Sequence, residues 1–114
     1  KNIQYKISQL LRNKLYFTLR GQKKESFMKL LGCPIEFLKT YLEQQFLLEM
    51  TWDNHGKIWE IDHIISCASF DLTDIEQQKQ CFHHTNLQPL FKTTEIAESF
   101  GYKNQIGNRN KNKY

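Results

Sequence analysis

Apolar side chains recur at helical spacing through the first third of the chain. In the N-terminal segment they fall on one face: Ile3, Ile7, Leu10, Leu11 and Leu15. This spacing predicts a helix over residues 2–20, which Gly21 ends. A short second helix is predicted between Ser26, as its N-cap, and Gly32.

The helical pattern is clearest after Cys33. Pro34 suits the first helical position, because the N–H that proline lacks would have no partner inside the helix there. An apolar stripe follows it: Ile35, Leu38, Tyr41, Leu42 and Phe46. This stripe predicts a helix that runs to about Leu48 and packs into the core.

From Lys57 onward, β-branched and aromatic residues replace the helical spacing. One strand is predicted over residues 58–65 and a second over 84–90, with a loop or short helix around 74–81 between them. A last helix is predicted over 95–99, capped by Thr93 or Thr94. Helices followed by a strand, a strand and a helix predict an α+β fold.

The change at Lys57 also predicts the domain organisation. We divide the chain into an N-terminal helical subdomain, residues 1–56, and a second unit, residues 57–114, which ends in a basic tail. A hydrophobic fraction of 39% in 114 residues is enough for a globular fold. The chain begins at Lys1, so we expect a fragment or a processed protein, and missing flanking domains stay open.

Membrane and redox features exclude several classes of protein. No apolar run approaches the roughly 18 residues of a membrane span, and no signal peptide opens the chain, so we expect an intracellular protein, cytoplasmic or nuclear. The three cysteines, Cys33, Cys67 and Cys81, are too widely spaced for a disulfide framework or a cysteine-rich zinc site. We interpret them as small buried thiols, and a contact between Cys67 and Cys81 stays open. The adjacent His83 and His84 lack the cysteine or histidine partners that a zinc site needs.

Charge is distributed unevenly along the chain. Residues 1–24 hold seven Lys and Arg and no acid, residues 102–114 hold four bases and no acid, and residues 25–101 hold all twelve acids. Basic ends around an acidic centre suit a protein that grips a polyanion and holds a cation between. The alternative is that the basic ends are simply solvated.

Asp62 and His63 are the strongest chemical signal, because they are adjacent in an apolar, strand-like run. Metal-dependent hydrolysis of a phosphodiester needs a carboxylate ligand for the ion and a base that takes a proton from water. Neighbours on a regular strand point to opposite faces. Both side chains can reach one phosphate only if the strand starts, bends or bulges here.

The context of this pair resembles the HNH endonuclease family. The resemblance is carried by I-D-H-I-I at 61–65, by C-F-H-H-T-N-L-Q-P-L at 81–90, and by a helical segment nine residues after Asn86. The stretch L-L-G-C-P-I-E-F-L-K-T-Y-L-E-Q-Q-F, followed by M-T-W-D-N-H-G, is similar to the helical region before the motif in phage-type and virus-type members. The resemblance implies a ββα-metal core over about 57–100, and a viral or mobile-element origin.

The resemblance also implies roles for single residues. His63 matches the general base that activates water, Asp62 the acidic metal ligand, and Asn86 the asparagine that braces the site. The third family position, a His or Asn metal ligand, falls on Glu95 here. A carboxylate at that place favours Mg²⁺, or Mn²⁺, over zinc. The alternative is that Glu95 is only an acid in the first turn of a helix, with Asn104 or Asn108 as substitute ligands.

The function that the resemblance implies is Mg²⁺-dependent or Mn²⁺-dependent hydrolysis of DNA, with double-stranded DNA as the expected partner. The basic residues expected to hold its backbone are Lys14, Arg20, Lys23, Lys24, Lys92, Lys103, Arg109 and Lys111. One site per chain makes a nick, so double-strand cleavage would need a homodimer or two events. A nuclease scaffold that binds nucleic acid without catalysis, and a purely structural interaction domain, are the alternatives.

Overall fold

The computed structural model of the chain describes residues 2–21 and 25–102. Within these residues it has five helices and two strands: α1 (Asn2–Leu19), α2 (Glu25–Leu31), α3 (Ile35–Glu43), β1 (Trp59–His63), α4 (Ile75–Phe82), β2 (Leu87–Phe91) and α5 (Thr94–Ser99). The fold is a compact α+β arrangement, as predicted. In the described segments, no helix has both the length and the apolarity to cross a membrane.

The first helix is confirmed, but its buried face is rotated from the predicted one. Leu11, Leu15 and Leu19 are buried, whereas Ile3 is 59% exposed and Leu10 is 53% exposed. Ser8 and Thr18 are buried beside these leucines, and each hydroxyl donates to a carbonyl one turn earlier in α1. These bonds satisfy the buried hydroxyls. The buried face of α1 therefore includes two polar residues, which the spacing of apolar residues does not reveal.

The main hydrophobic core joins the two halves of the chain. Buried side chains of α1, α2 and α3 pack against residues that follow β1: Cys67, Leu72, Cys81, Phe82 and Leu87. Leu31, Leu38 and Leu42 are fully buried in it. The helices of residues 1–56 and the elements after them therefore share one core.

The third helix ends earlier than the apolar stripe predicts. It runs from Ile35 to Glu43, with Pro34 as its N-cap, and the chain turns before Phe46. Phe46 then packs against Trp59, with ring centroids 4.8 Å apart, in a second cluster. The predicted extension to Leu48 is wrong because Phe46 contributes to this cluster, and Leu48 itself is 90% exposed.

The two strands form an antiparallel ladder that runs without a bulge from Trp59↔Phe91 to His63↔Leu87. The second strand starts three residues later than predicted, because residues 84–86 form a single 3₁₀ turn. Pro89 lies inside this strand. In a two-stranded sheet each strand is an edge, where proline's missing N–H can face away from the ladder.

The segment between the strands is held by contacts to distant elements. Of the two alternatives predicted here, a loop or a short helix, the structure has the helix α4, and the Asp74 side chain caps it by accepting from Glu76 N–H. Gln4 of α1 donates to the carbonyls of Cys67, at 3.1 Å, and Phe70, at 2.8 Å, and it accepts from Leu72 N–H. One glutamine thereby positions the loop that carries Cys67.

Candidate functional site

Asp62 and His63 lie at the end of β1, and both are buried, at 3% and 1% exposure. The ladder is regular through both residues, so their side chains leave opposite faces of the sheet. Asp62 Oδ1 accepts from the backbone N–H of His63 at 2.8 Å. The strand ends at His63 and the chain bends at Ile64 and Ile65. A bend next to the pair is one of the features that Asp62 and His63 need to reach the same phosphate.

Asn86 joins the bend after β1 to the end of α4. Its side-chain amide donates to the carbonyl of Cys81 at 2.8 Å and to that of Ile65 at 3.1 Å. Its Oδ1 accepts from Ile65 N–H at 2.8 Å, and its backbone carbonyl accepts from Ile64 N–H at 2.8 Å. These bonds set the direction of the chain immediately after His63. They are contacts of the kind that the predicted bracing role requires.

Glu95 lies in the first turn of α5 and is exposed. Thr93 caps this helix by accepting from Ile96 N–H, as predicted. Among the residues that the structure describes, Asp62, His63 and Glu95 do not form a group of three potential metal ligands. The metal-ligand role of Glu95 stays a prediction.

A cavity of about 510 Å³ opens beside β1, and His63 contributes to its wall. The other walls come from α1 and from the connector before β1. The cations that line the cavity are Arg12, Arg20 and Lys57, against the two carboxylates of Asp53 and Glu60. The cavity thus brings positive charge to the predicted base.

Arg20 and His55 form the outer wall of this cavity. The guanidinium of Arg20 lies 3.6 Å from the centre of the Tyr16 ring, and one of its nitrogens lies 3.2 Å from His55 Nδ1. Burial, and then the charge of Arg20, lower the pKa of His55 to about 4. At neutral pH His55 is therefore neutral, so Nδ1 can accept from Arg20.

Arg12, His55 and Lys57 are site residues that our sequence reasoning missed. A signal was present for Arg12: it lies four residues before Tyr16, on the same face of α1, and Arg20 follows at the same spacing directly after the helix. No comparable signal marks His55 or Lys57, because they lie in an irregular connector.

The other predicted basic residues are scattered. Lys14 is half-buried on α1 outside the cavity wall, and Lys92 is exposed and donates to the carbonyl of Gly56 at 2.9 Å. The remaining predicted contacts lie outside the described residues, as do the substitute ligands: Lys23, Lys24, Lys103, Arg109, Lys111, Asn104 and Asn108.

The second notable group contains His63 with two sulfur atoms. Cys81 Sγ lies 3.4 Å from Cys67 Sγ, and Cys67 Sγ lies 3.8 Å from both ring nitrogens of His63. The contact between Cys67 and Cys81 that the sequence left open is therefore present. The hydrogen bond from Cys81, with smaller contributions from His63 and Arg12, outweighs burial and lowers the pKa of the Cys67 thiol.

His83 and His84 are apart from this group. His84 Nδ1 lies 2.8 Å from the carbonyl of Leu31, and its ring packs edge-on against Phe37 and Tyr41. His83 accepts from Thr85 N–H at the start of the 3₁₀ turn. These contacts explain both histidines as structural side chains.

The chain is similar to two proteins of Acanthamoeba polyphaga mimivirus. It is 47% identical to uncharacterized protein L246 over 93 residues, which are 82% of this chain and 41% of the relative. It is 39% identical to uncharacterized protein L426 over 90 residues, which are 78% of this chain and 40% of the relative. The chain thus spans about two fifths of the length of these viral relatives. No family model matches the chain, and no solved structure matches it.

Proposed function

We propose that the chain carries an HNH-type endonuclease site that hydrolyses DNA, with His63 as the general base. The observation that carries this proposal is the position of His63 in the wall of a cavity that Arg12, Arg20 and Lys57 also line. A phosphodiester is anionic, and arginine and lysine are the side chains that usually hold it. A histidine beside a bound phosphate is suited to take a proton from water near neutral pH.

The size and depth of the cavity determine what can reach the base. A water molecule occupies about 30 Å³ of liquid, so a cavity of about 510 Å³ holds a phosphate group together with several waters. Since His63 is only 1% exposed, the cavity surface included, the side chains around its ring have to move before a water or a phosphate can contact it. The proposal therefore requires the cavity to open at His63 when the nucleic acid binds.

In the proposed reaction, His63 deprotonates a water molecule, whose oxygen attacks the phosphorus. The bond from phosphorus to the 3′-oxygen breaks, and the 3′-oxygen takes a proton from a second water molecule. The products are a 5′-phosphate and a 3′-hydroxyl. Arg12 and Lys57 neutralise charge on the phosphate during the attack. Asn86 is a positioning residue, because it holds the bend that follows the base.

A divalent ion, Mg²⁺ or Mn²⁺, would be held by Asp62 and Glu95 and would supply neutralisation of charge on the leaving oxygen. This requires the end of β1 to turn Asp62 towards the cavity, because Asp62 leaves the face opposite His63 and does not line the cavity. The buried carboxylate of Asp62 suits such an ion, because hard cations prefer oxygen ligands. Glu95 fits less well, since it is exposed on α5 and does not form a three-ligand group with Asp62 and His63 among the described residues.

The proposal is tested by nicking of supercoiled plasmid DNA with Mg²⁺ or Mn²⁺, and with EDTA as the metal-free control. We expect nicking to require the metal and to be lost in His63→Ala. His83→Ala is the matched control, because it removes a histidine that does not line the cavity. Metal-independent nicking, or nicking that survives His63→Ala, would refute the proposed mechanism. In a separate test, unchanged metal affinity in Glu95→Ala would leave Glu95 as a helix-terminal acid only.

A second candidate function is nucleic-acid binding without catalysis. It is favoured by the opposite directions of Asp62 and His63 on a regular ladder, and by Glu95 at the place of the family's His or Asn. This candidate predicts that double-stranded DNA is retarded in a gel by the chain, that Arg12→Ala weakens the binding, and that no metal produces nicks. The same gel, with cross-linking, reports whether a homodimer forms.

A further inference from the structure

We infer that His63, Cys67 and Cys81 form a second metal site, which takes one thiophilic divalent cation such as Zn²⁺. The site differs in chemistry from the proposed magnesium site, because its donors are one imidazole nitrogen and two sulfurs. The inference that the site exists does not depend on the proposed function, whereas its effect on catalysis rests on that function.

The side chains of His63, Cys67 and Cys81 lie close together. One ligand atom from each lies within 4.8 Å of the others, and all three residues are buried. The sulfur atoms of Cys67 and Cys81 are 3.4 Å apart, and Cys67 Sγ is 3.8 Å from the His63 ring nitrogens. In the part of the chain that the structure describes, no other three such residues are gathered in this way.

These separations are close to those of a tetrahedral zinc site. Zinc–sulfur bonds of about 2.3 Å at a tetrahedral angle put two sulfur ligands about 3.8 Å apart, and a nitrogen about 3.6 Å from each. The Cys67–Cys81 and Cys67–His63 distances differ from these values by a few tenths of an ångström. The ligand atoms of His63 and Cys81 lie within 4.8 Å of each other, so this pair has to close by up to about 1.2 Å (4.8 minus 3.6). The imidazole also has to rotate to direct one nitrogen to the ion. Three protein ligands leave a fourth position for water, which the cavity lined by His63 can supply.

The fold positions the ligands from three separate elements. His63 ends β1, Cys81 lies in the last turn of α4, and Cys67 lies in the loop that Gln4 of α1 holds. Asn86 donates to the carbonyl of Cys81 at 2.8 Å. Supporting hydrogen bonds of this kind hold ligands in place and strengthen metal binding. No C-x-x-C spacing is needed, because tertiary packing makes the juxtaposition.

The donor set selects the metal. Thiolate sulfur binds zinc and other thiophilic ions, while magnesium and manganese prefer carboxylate oxygen. If His63 is the general base of the proposed nuclease, then an ion on its imidazole prevents it from accepting a proton. We therefore expect zinc at this site to inhibit the proposed hydrolysis, and this expectation rests on the proposed function.

The site is tested by titrating the chain with Co²⁺ in a buffer with a non-thiol reductant. We expect one Co²⁺ per chain, with the near-ultraviolet absorption of a cobalt–thiolate bond, and displacement of that absorption by Zn²⁺. The absorption should be lost in Cys67→Ser and Cys81→Ser and should weaken in His63→Ala. Cys33→Ser is the matched control and should keep it, because Cys33 lies outside the group.

The outcomes separate the site from other causes. Absence of the cobalt–thiolate absorption, or its persistence in the Cys67→Ser, Cys81→Ser double variant, would overturn the inference. Equal loss in Cys33→Ser would show adventitious binding through any thiol, and would overturn it too. Circular dichroism and thermal unfolding show whether each variant folds. If a serine variant does not fold, alkylation of the thiols in the folded wild-type chain, with and without Zn²⁺, decides instead: zinc must protect Cys67 and Cys81 but not Cys33.

Catalysis gives an independent readout. Zinc inhibition of Mg²⁺-dependent nicking is compared in each variant with that variant's own activity without zinc, and should disappear in Cys67→Ser. A chain that binds cobalt but never nicks keeps the metal site and refutes the proposed nuclease. A chain that nicks but shows no cobalt–thiolate absorption keeps the nuclease and refutes the site.

Discussion

Replacement of Asn86 gives the sharpest test of how the site is held. In Asn86→Ala, three backbone groups lose the hydrogen bonds of the amide: Ile65 N–H, Ile65 C=O and Cys81 C=O. These groups lie at the junction of β1 and α4, and Asn86 is 8% exposed. Water therefore has little access to replace the lost bonds.

The expected magnitude follows from this burial. A buried polar group that loses its hydrogen bond costs about 1–3 kcal/mol, and a net exposed bond about 1 kcal/mol. Three bonds with partial water access lead us to expect a loss of about 4 kcal/mol in the free energy of unfolding. Asn54→Ala is the matched control, because its amide also bridges backbone groups, Thr51 N–H and Glu49 C=O, but in a half-buried turn that water can reach more easily. Loss of such a partly exposed cap costs about 1 kcal/mol.

Asn86→Asp separates the donors from the acceptor. The carboxylate keeps the acceptor for Ile65 N–H but faces two carbonyl oxygens, which disfavour its charged form and raise its pKa. Because the pKa of this carboxyl is higher in the folded than in the unfolded state, protonation stabilises the folded variant. The difference in the free energy of unfolding between wild type and Asn86→Asp should therefore become smaller as the pH falls from about 7 to about 5.

Urea unfolding followed by circular dichroism measures all three variants at both pH values. An unchanged slope with urea concentration shows that the midpoint shift reports stability. If Asn86→Ala costs no more than Asn54→Ala, or if the Asn86→Asp gap is the same at both pH values, the bracing geometry described above is refuted.

Three further predictions concern other parts of the structure. Because the pKa of His55 falls from 6.5 to about 4 on folding, the unfolded chain binds the extra proton between these values. The contribution of His55 to stability is then complete above pH 6.5 and falls towards pH 4, by about 2 kcal/mol after solvent screening. Urea unfolding should show a smaller loss of stability over this range in His55→Phe than in wild type, because the lowered pKa of His83 is present in both. Gly32→Ala should lower the thermal unfolding temperature more than Gly101→Ala. Both glycines have a positive φ, which costs a residue with a Cβ about 1 kcal/mol. A Cβ at residue 32 would in addition lie 2.6 Å from the His83 ring, whereas nothing lies within 4 Å of a Cβ at residue 101. Gln4→Leu should lower the free energy of unfolding in urea by about 2 kcal/mol, because leucine makes none of the three hydrogen bonds from Gln4 to the loop after β1. Equal stability of the variant and wild type would show that the loop is held by packing alone.

Secondary structure was predictable where local signals agree. Periodic isoleucines and leucines predicted α1, and residues 74–81 were predicted as a loop or a short helix, which is α4 in the structure. Thr93 was one of the two threonines predicted to cap α5. Boundaries failed where tertiary packing outweighed the local pattern. The helix α3 stops at Glu43 because the chain then turns to place Phe46 against Trp59, and no local signal marks that contact.

The candidate site divides in the same way. Asp62 and His63 were recognisable as an adjacent carboxylate and imidazole in an apolar run, and the resemblance to the HNH family pointed to Asn86. The burial of Asp62 and His63, and the opposite faces from which they leave, were not recognisable, because both depend on which strand pairs with which.

The amino-acid sequence alone was sufficient to predict the α+β class and most of the helices, and to identify residues that suggest a hydrolytic site. Those features depend on neighbours within one or two turns of chain, where periodicity and capping act. Tertiary structure alone joined His63 to Cys67 and Cys81, and brought Arg12 and Lys57 to one cavity. Both groups combine residues from separate elements, so their proximity depends on how the core packs α1 against the segments on either side of β1 and not on spacing along the chain.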